Sequence, residues 1–174
     1  MSKETARIKR VLSEMGSLIK YKNQWCVGEF NLNYQRYRET LNLLLKNVSE
    51  GAEILDVGCS PGYLTFAMHK LGFKVQGVDL NPNQCIKEIR ESGIAIKRCN
   101  LDNEPLPFEK ECFDAVVFTE VIEHLNPWRI NSVLQEIKRV LKPYGMLILS
   151  TPNLAALENR LFLLIGGIRY LGGE

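Results

Sequence analysis

Apolar residues follow two rhythms along this chain. In the first fifty residues they recur every three to four positions: Ile8, Val11, Leu12, Met15 and Ile19 within 4–20, then Tyr37, Leu41, Leu44 and Leu45 within 34–47. That spacing lines one face of a helix, so two helices are predicted there. The stretch between them, NQWCVGEFNLN (23–33), mixes aromatics with Gly and Asn and reads as a loop or lid. From residue 53 the rhythm shortens. Apolar runs at 53–57, 73–78, 94–99, 113–118 and 145–150 read as buried strands, with helical segments near 62–71, 82–92 and 128–141 between most of them. Alternating strand and helix predicts an α/β fold: a doubly wound parallel sheet with right-handed crossovers and helices on both faces. After STPN (150–153) the spacing predicts an amphipathic helix over about 154–165 and then a Gly-rich tail, with no sixth strand. The expected organisation is therefore an N-terminal helical segment and lid at 1–48, a core at 49–153, and a C-terminal helix and tail at 154–174, for which truncation is the favoured explanation.

Composition narrows the picture. A chain of 174 residues with 45% hydrophobic content can bury one real core. A net charge of +2 leaves no strong electrostatic footprint for nucleic acid or an anionic membrane. LFLLIGGI (161–168) is too short to span a bilayer, and MSKETARIKR has no apolar signal core. The five cysteines are odd in number and form no CxxC pair, which argues against a disulfide framework or zinc site and fits a reducing cytoplasm.

The chemistry concentrates in ILDVGCSPGYL (54–64), a strand, a Gly-containing loop and a helix start. A phosphate-binding P-loop would need a Lys after the last Gly, and none follows Gly62. A dinucleotide loop wants GxGxxG, whereas this one reads GxSxG over Gly58, Ser60 and Gly62, and Asp56 stands at the strand end. A carboxylate there repels a pyrophosphate and attracts an ammonium or sulfonium. A nucleoside with a cationic amino-acid tail suits the site, and S-adenosylmethionine is such a molecule. Gly58 and Gly62 would let the backbone turn tightly and approach it. The plainer reading is a tight turn with Ser60 as N-cap and Pro61 at the first helical position. VQGVDLN then ends the second strand on Asp79, placed to grip two ribose hydroxyls.

These motifs resemble the class I S-adenosylmethionine-dependent methyltransferases, in particular the small-molecule, ubiquinone-pathway-like type 11/23 group, from about Leu43 to Asn153. ILDVGCSPG resembles the family's first motif, with Ser60 in place of a Gly; GVDLN resembles the second; NLDNEPLPFEKECFDAVVFTEVIEHL resembles the third and fourth; VLKPYGMLILSTPN resembles the entry to strand five, with Tyr144 where Gly is common. The resemblance implies a Rossmann-like sheet of about five strands in the order 3-2-1-4-5, with strands six and seven missing. It implies a cofactor site of Asp56, Gly58, Cys59, Ser60 and Gly62 in the loop, Asp79 on the ribose and Leu80 on the adenine. Asn100 or Asp102, with Leu101 between them, would meet the adenine, and the backbone at Phe118 and Thr119 the methionine ammonium. Cys59 is given no chemistry of its own.

TEVIEHL (119–125) sets Glu120, Glu123 and His124 at i, i+3 and i+4, so that one helical turn would present all three. Two carboxylates and an imidazole suit a divalent metal ion, and His124 or Glu120 could also be an acid–base catalyst. The segment resembles those of ubiquinone-pathway O-methyltransferases and of small-RNA 2′-O-methyltransferases; a metal-free site is favoured. His69 is expected to face solvent. Trp25, Phe30, Tyr34 and Tyr37 could line a lid, or simply pack the helices onto the sheet. The expected function is methyl transfer from S-adenosylmethionine to an oxygen or nitrogen of a small-molecule, lipid or glycan acceptor in the cytoplasm. The alternatives are a cofactor-binding module without turnover and a metal-assisted RNA 2′-O-methyltransferase. A nicotinamide dehydrogenase is disfavoured by the GxSxG spacing and by Asp56.

Overall fold

A computed structural model describes residues 3–19 and 24–152, without the side chains of 24–26 and 90. The C-terminal helix expected at 154–165 lies outside the described residues. The described chain runs α1 (Lys3–Ile19), α2 (Gln24–Asn47), β1 (Glu53–Val57), α3 (Tyr63–Lys70), β2 (Lys74–Asp79), α4 (Lys87–Glu91), β3 (Ala95–Arg98), β4 (Phe113–Thr119), α5 (Pro127–Val140) and β5 (Leu141–Ser150). The five strands form one sheet in the order β3-β2-β1-β4-β5, and every neighbouring pair is parallel. This is the order and direction expected from the sequence.

Strand alternation sorts the core into two layers. Ile54, Val75, Ala115, Val117 and Ile148 point to one face, where they meet Ile8, Leu12 and Met15 of α1, Leu41 and Leu44 of α2, and Ala67 and Met68 of α3. Leu55, Val57, Val78, Val116 and Phe118 point to the other, where Val133, Ile137 and Val140 of α5 cover them. The predicted burial holds for β1, β2 and β4, the central strands. It fails at β3, where Ala95, Lys97 and Arg98 are exposed, and in much of β5. Both lie at the margins of the five-stranded sheet, where one face loses its cover.

Three expectations need correcting. The stretch expected to be a loop is helical from residue 24 on: α2 begins at Gln24. Phe30, Tyr34 and Tyr37 fall at i, i+4 and i+7 on one helix face, and Phe30 packs its ring 5.7–6.1 Å from those of Tyr34, Tyr37 and Tyr63. That burial outweighs the weak helix propensity of Gly28 and the Asn residues. These aromatics therefore pack helix on helix; the side chain of Trp25 lies outside the description. The helix expected at 82–92 is instead a 3-10 turn at Pro82–Gln84 followed by the short α4. Cys85 is extended between the two, and the Ile86 N–H donates to the Pro61 carbonyl at 2.8 Å. Finally, β5 starts four residues earlier than the predicted 145. Leu141 pairs with Phe113 and Met146 with Ala115, so residues 142–145 bulge out between them. Tyr144 tops that bulge at φ 63, fully exposed.

Candidate active site

Register places the chemistry on one edge. Val57 lies beside Val78 on one side and Phe118 on the other, so Gly58, Asp79 and Thr119 stand at one level where β1, β2 and β4 end. The route out of β1 leads to β2, while β4 lies on β1's opposite side, so a topological switch point opens here. In such sheets the crevice at the carboxyl ends of the strands is the binding site.

The loop after β1 is held from two directions. Gly58 and Cys59 both donate their backbone N–H to the Val78 carbonyl, at 2.8 and 3.1 Å. Gly58 stands at φ 75, and a Cβ added there would lie inside the van der Waals shell of Val121 Cγ2. Only glycine meets both demands. Ser60 donates its N–H to Asp79 Oδ2 at 3.0 Å and its hydroxyl to the Asn81 carbonyl at 3.3 Å. The helix cap falls elsewhere than expected: Gly62 at φ 98 is the N-cap of α3, Tyr63 begins the helix, and no side chain caps it. Ser60 is absent from the positive-φ positions, which include Gly58 and Gly62. Replacing the family's middle Gly by Ser therefore costs the loop no backbone freedom.

Asp56 is 3% exposed and accepts a 2.6 Å hydrogen bond from Thr65 Oγ1 of α3. Burial raises its pKa to about 6 against the lowering effect of the Thr65 hydroxyl; the Asp79 charge adds to the rise and the Arg36 charge opposes it. It is thus a carboxyl beneath the loop, which can act on a ligand only through the loop. Cys59 is likewise buried, its sulfur facing Gly77, where an added Cβ would sit 2.7 Å away. Its hydrogen bond with Cys85, and burial, push the Cys59 thiol well up, while Cys85 is drawn down to about 7.

Asp79 is half-buried and braces both loops, accepting from Ser60 N and, at 2.8 Å through Oδ1, from Asn81 N. A carboxylate has about four acceptor sites, so two remain for hydroxyls. Leu80 stands 49% exposed beside it, an apolar surface at the crevice edge suited to a purine. The loop after β3 separates the two adenine candidates. Asn100 is tied into its own turn, its Oδ1 accepting from Asp102 N at 3.1 Å. Asp102 Oδ1 instead accepts from Asn126 N at 3.0 Å, and the Leu101 carbonyl accepts from Arg129 Nη2 at 3.3 Å. Phe118 is fully buried, so only its backbone can meet a ligand; Thr119 is half-buried.

The predicted helical turn of Glu120, Glu123 and His124 does not form. Glu120 follows the end of β4 at φ 57, and residues Ile122–His124 are a 3-10 turn. Glu120 accepts from the Ser150 hydroxyl at 2.8 Å and pairs with Arg36 Nη1 of α2 at 3.2 Å. Glu123 is exposed and meets Thr151 Oγ1 at 3.4 Å; His124 is exposed. Among the described residues no group of three or more His, Cys, Asp or Glu side chains could hold a metal ion. The reason is backbone geometry: a left-handed residue at 120 breaks the i, i+3, i+4 relation. His69 is partly buried at the end of α3, against the expectation that it faces solvent. Arg36, Thr65 and Val121 belong to the site but were not singled out from the sequence. Each acts through a partner distant in the chain; only the charge of Arg36, between two tyrosines on a helix, offered a local signal.

No helix among the described residues is long and apolar enough to cross a membrane. The profile of the methyltransferase domain family matches residues 55–149. Over 111 residues the chain is 37% identical to the mitochondrial ubiquinone biosynthesis O-methyltransferase of Rattus norvegicus, covering 59% of this chain and 31% of that relative. Over 108 residues it is 38% identical to the ubiquinone biosynthesis O-methyltransferase of Cereibacter sphaeroides (strain KD131), covering 60% and 42%. The chain thus spans well under half the length of these relatives. Among solved structures it resembles the PH0226 protein of Pyrococcus horikoshii OT3, with TM-score 0.62 and 34% identity over 74% of this chain and 62% of that one. Taken with the sheet order, the glycine-bound loop after β1 and the acid after β2, the family match shows that the chain belongs to the class I S-adenosylmethionine-dependent methyltransferases.

Proposed function

We propose that the chain transfers a methyl group from S-adenosylmethionine to an oxygen or nitrogen of a small-molecule, lipid or glycan acceptor. The observation that carries this reading is the bridge from Ser60 N–H to Asp79, which ties the glycine loop and the ribose acid into one crevice beside exposed Leu80. When bound, S-adenosylmethionine supplies a methyl group on a cationic sulfur. Asp79 would hold the ribose, Leu80 would cover one face of the adenine, and Asp102 or Asn100 would accept from its amino group. The backbone of Gly58 and of Phe118 and Thr119 would meet the amino-acid tail. Methyl transfer is an in-line displacement, so what the protein contributes is placement of the two reactants and exclusion of water. Glu120 or His124 would take the acceptor's proton where one must leave.

The names of the relatives support an O-methyl acceptor, and the modest charge supports a small molecule over RNA. The metal-assisted RNA reading is weakened by the pairing of Glu120 with Arg36 and by the broken turn at 120–124. The described cysteines are free thiols, consistent with a reducing compartment such as the cytoplasm. Calorimetric titration with S-adenosylmethionine tests the donor; an acceptor screen read out by the demethylated cofactor tests the transfer. Asp79→Ala should weaken cofactor binding at least tenfold, and unchanged affinity would overturn the assignment of Asp79. Tight binding with no turnover of any acceptor would favour a binding module instead.

A further inference from the structure

Two thiols beside the cofactor crevice take no part in the proposed reaction. Cys59, in the loop after β1, and Cys85, in the segment after β2, belong to the same core layer, whereas Cys99 and Cys112 belong to the layer on the opposite face of the sheet. Three contacts lay the two segments side by side. The Ile86 N–H donates to the Pro61 carbonyl at 2.8 Å, the Ser60 hydroxyl donates to the Asn81 carbonyl at 3.3 Å, and the same hydroxyl lies 3.6 Å from the Cys85 sulfur. The two thiols are hydrogen-bonded to each other. That bond draws Cys85 down to about 7 against the effect of burial, with the Ser60 hydroxyl adding to it, while Cys59 keeps its proton. A thiolate, not a thiol, is the nucleophile in cysteine oxidation, so Cys85 is the reactive member. It is 3% exposed, but it lies in an extended link between the 3-10 turn and the short α4, with Gln84 and Lys87 exposed on either side of the link. Opening so short a surface link needs only local unfolding, far from the global transition.

We infer that Cys59 and Cys85 are a dithiol pair that hydrogen peroxide closes reversibly to a disulfide, and that closure weakens cofactor binding. The second part rests on S-adenosylmethionine being the ligand of this loop. The Cys85 thiolate attacks one peroxide oxygen and the O–O bond breaks; the departing hydroxide takes up a proton as water, leaving Cys85 as a sulfenic acid. The Cys59 sulfur then attacks the Cys85 sulfur, gives up its proton, and the S–O bond breaks to release a second water. Two thiols lose two electrons and two protons in all, and one peroxide becomes two waters. A disulfide holds its sulfurs about 2.05 Å apart, closer than any hydrogen bond between thiols, so one side must move. Cys59 has little room to give. Its N–H is held by the Val78 carbonyl at 3.1 Å, and its sulfur is seated over Gly77, where an added Cβ would lie 2.7 Å away. The contraction therefore strains Ser60, next in the chain, whose N–H makes the 3.0 Å bridge to Asp79. Disturbing that bridge moves the loop and the ribose acid out of their shared arrangement.

The test separates the chemistry from its consequence. The reduced chain is treated with hydrogen peroxide, its remaining thiols are alkylated, and a digest is searched by mass spectrometry for a peptide pair joined through Cys59 and Cys85. The same samples, before oxidation, after it, and after dithiothreitol, are titrated by calorimetry with S-adenosylhomocysteine. The joined pair should form and affinity should fall about tenfold or more, as expected for loss of one hydrogen bond to a charged group. Dithiothreitol should restore it. Cys85→Ser keeps a small polar group but cannot bridge, so it should bind as the reduced wild type does and ignore peroxide, whereas Cys112→Ser should respond as the wild type does. Absence of the joined pair, an unchanged affinity once it has formed, or a Cys85→Ser chain that still loses affinity would overturn the switch. A reduced wild type that does not bind the ligand would overturn the cofactor reading and the switch with it, while the pairing of the two cysteines is still decided by the mass spectrum. Should Cys85→Ser fail to fold, Cys85→Ala carries the same comparison.

Discussion

Asp56 is expected to hold the fold under tension at neutral pH. Its carboxyl is buried beneath the glycine loop and touches the hydroxyl of Thr65, and burial raises its pKa from the ordinary 3.8 to about 6. The folded state therefore binds this proton more tightly than the unfolded state does. Below pH 3.8 both states hold the proton and the full stabilisation is present; it is lost as pH rises, and is gone above about 6. At 1.36 kcal/mol for each pH unit, the interval from 3.8 to about 6 corresponds to about 3 kcal/mol. Asp56→Asn keeps the shape and an oxygen for the Thr65 hydroxyl but cannot ionise. Thermal or urea unfolding of both proteins from pH 3.5 to 8 gives the stability difference, variant minus wild type. That difference should be flat below about pH 4, climb through the interval, and level off about 3 kcal/mol higher. For a chain of this length the change corresponds to roughly 6–12 °C in Tm. Any constant effect of the amide cancels in the slope. A difference that does not vary between pH 4 and 7, or that falls, would refute the claim that a buried, destabilised carboxylate lies beneath the loop.

Other consequences are smaller or more local. Gly58→Ala adds a methyl inside the contact shell of Val121 and must hold φ 75, so chemical denaturation should show a loss of about 2 kcal/mol or more; adding Val121→Ala should recover the steric part only. Full recovery in the double variant would show that the backbone angle is unimportant. Tyr144 sits at φ 63 with a fully exposed side chain, so Tyr144→Gly relieves strain while losing no packing. Set against the added freedom of the unfolded chain, the net gain should be about 0.5–1 kcal/mol by the same assay, and a loss would contradict the strained geometry.

Much of the fold was legible in the sequence because it depends on local geometry. A strand alternates and a helix repeats every 3.6 residues whatever lies elsewhere, so the five strands, the core face of α1 and the ends that carry Asp56, Gly58 and Asp79 could be read from spacing. The acid at residue 56 and the glycines at 58 and 62 separated a cationic ligand from a pyrophosphate before any coordinate was known. The errors arose where packing overrides local preference. Residues 24–33 are helical because Phe30 finds Tyr34, Tyr37 and Tyr63, and Glu120 leaves the expected helical turn for a left-handed position where it meets Ser150 and Arg36.

By itself, then, the sequence determined the kind of sheet, the glycine loop after β1 and the class of methyl donor. Only the tertiary structure decided that Asp56 is buried against Thr65 rather than open to a ligand, that Asp79 braces the loop, and that Arg36 is the cation brought to an edge of acids. The division has a physical cause. Backbone hydrogen bonding repeats over a few residues and leaves a periodic trace, whereas burial and charge pairing depend on which distant side chains the packed core brings within a few ångströms of one another.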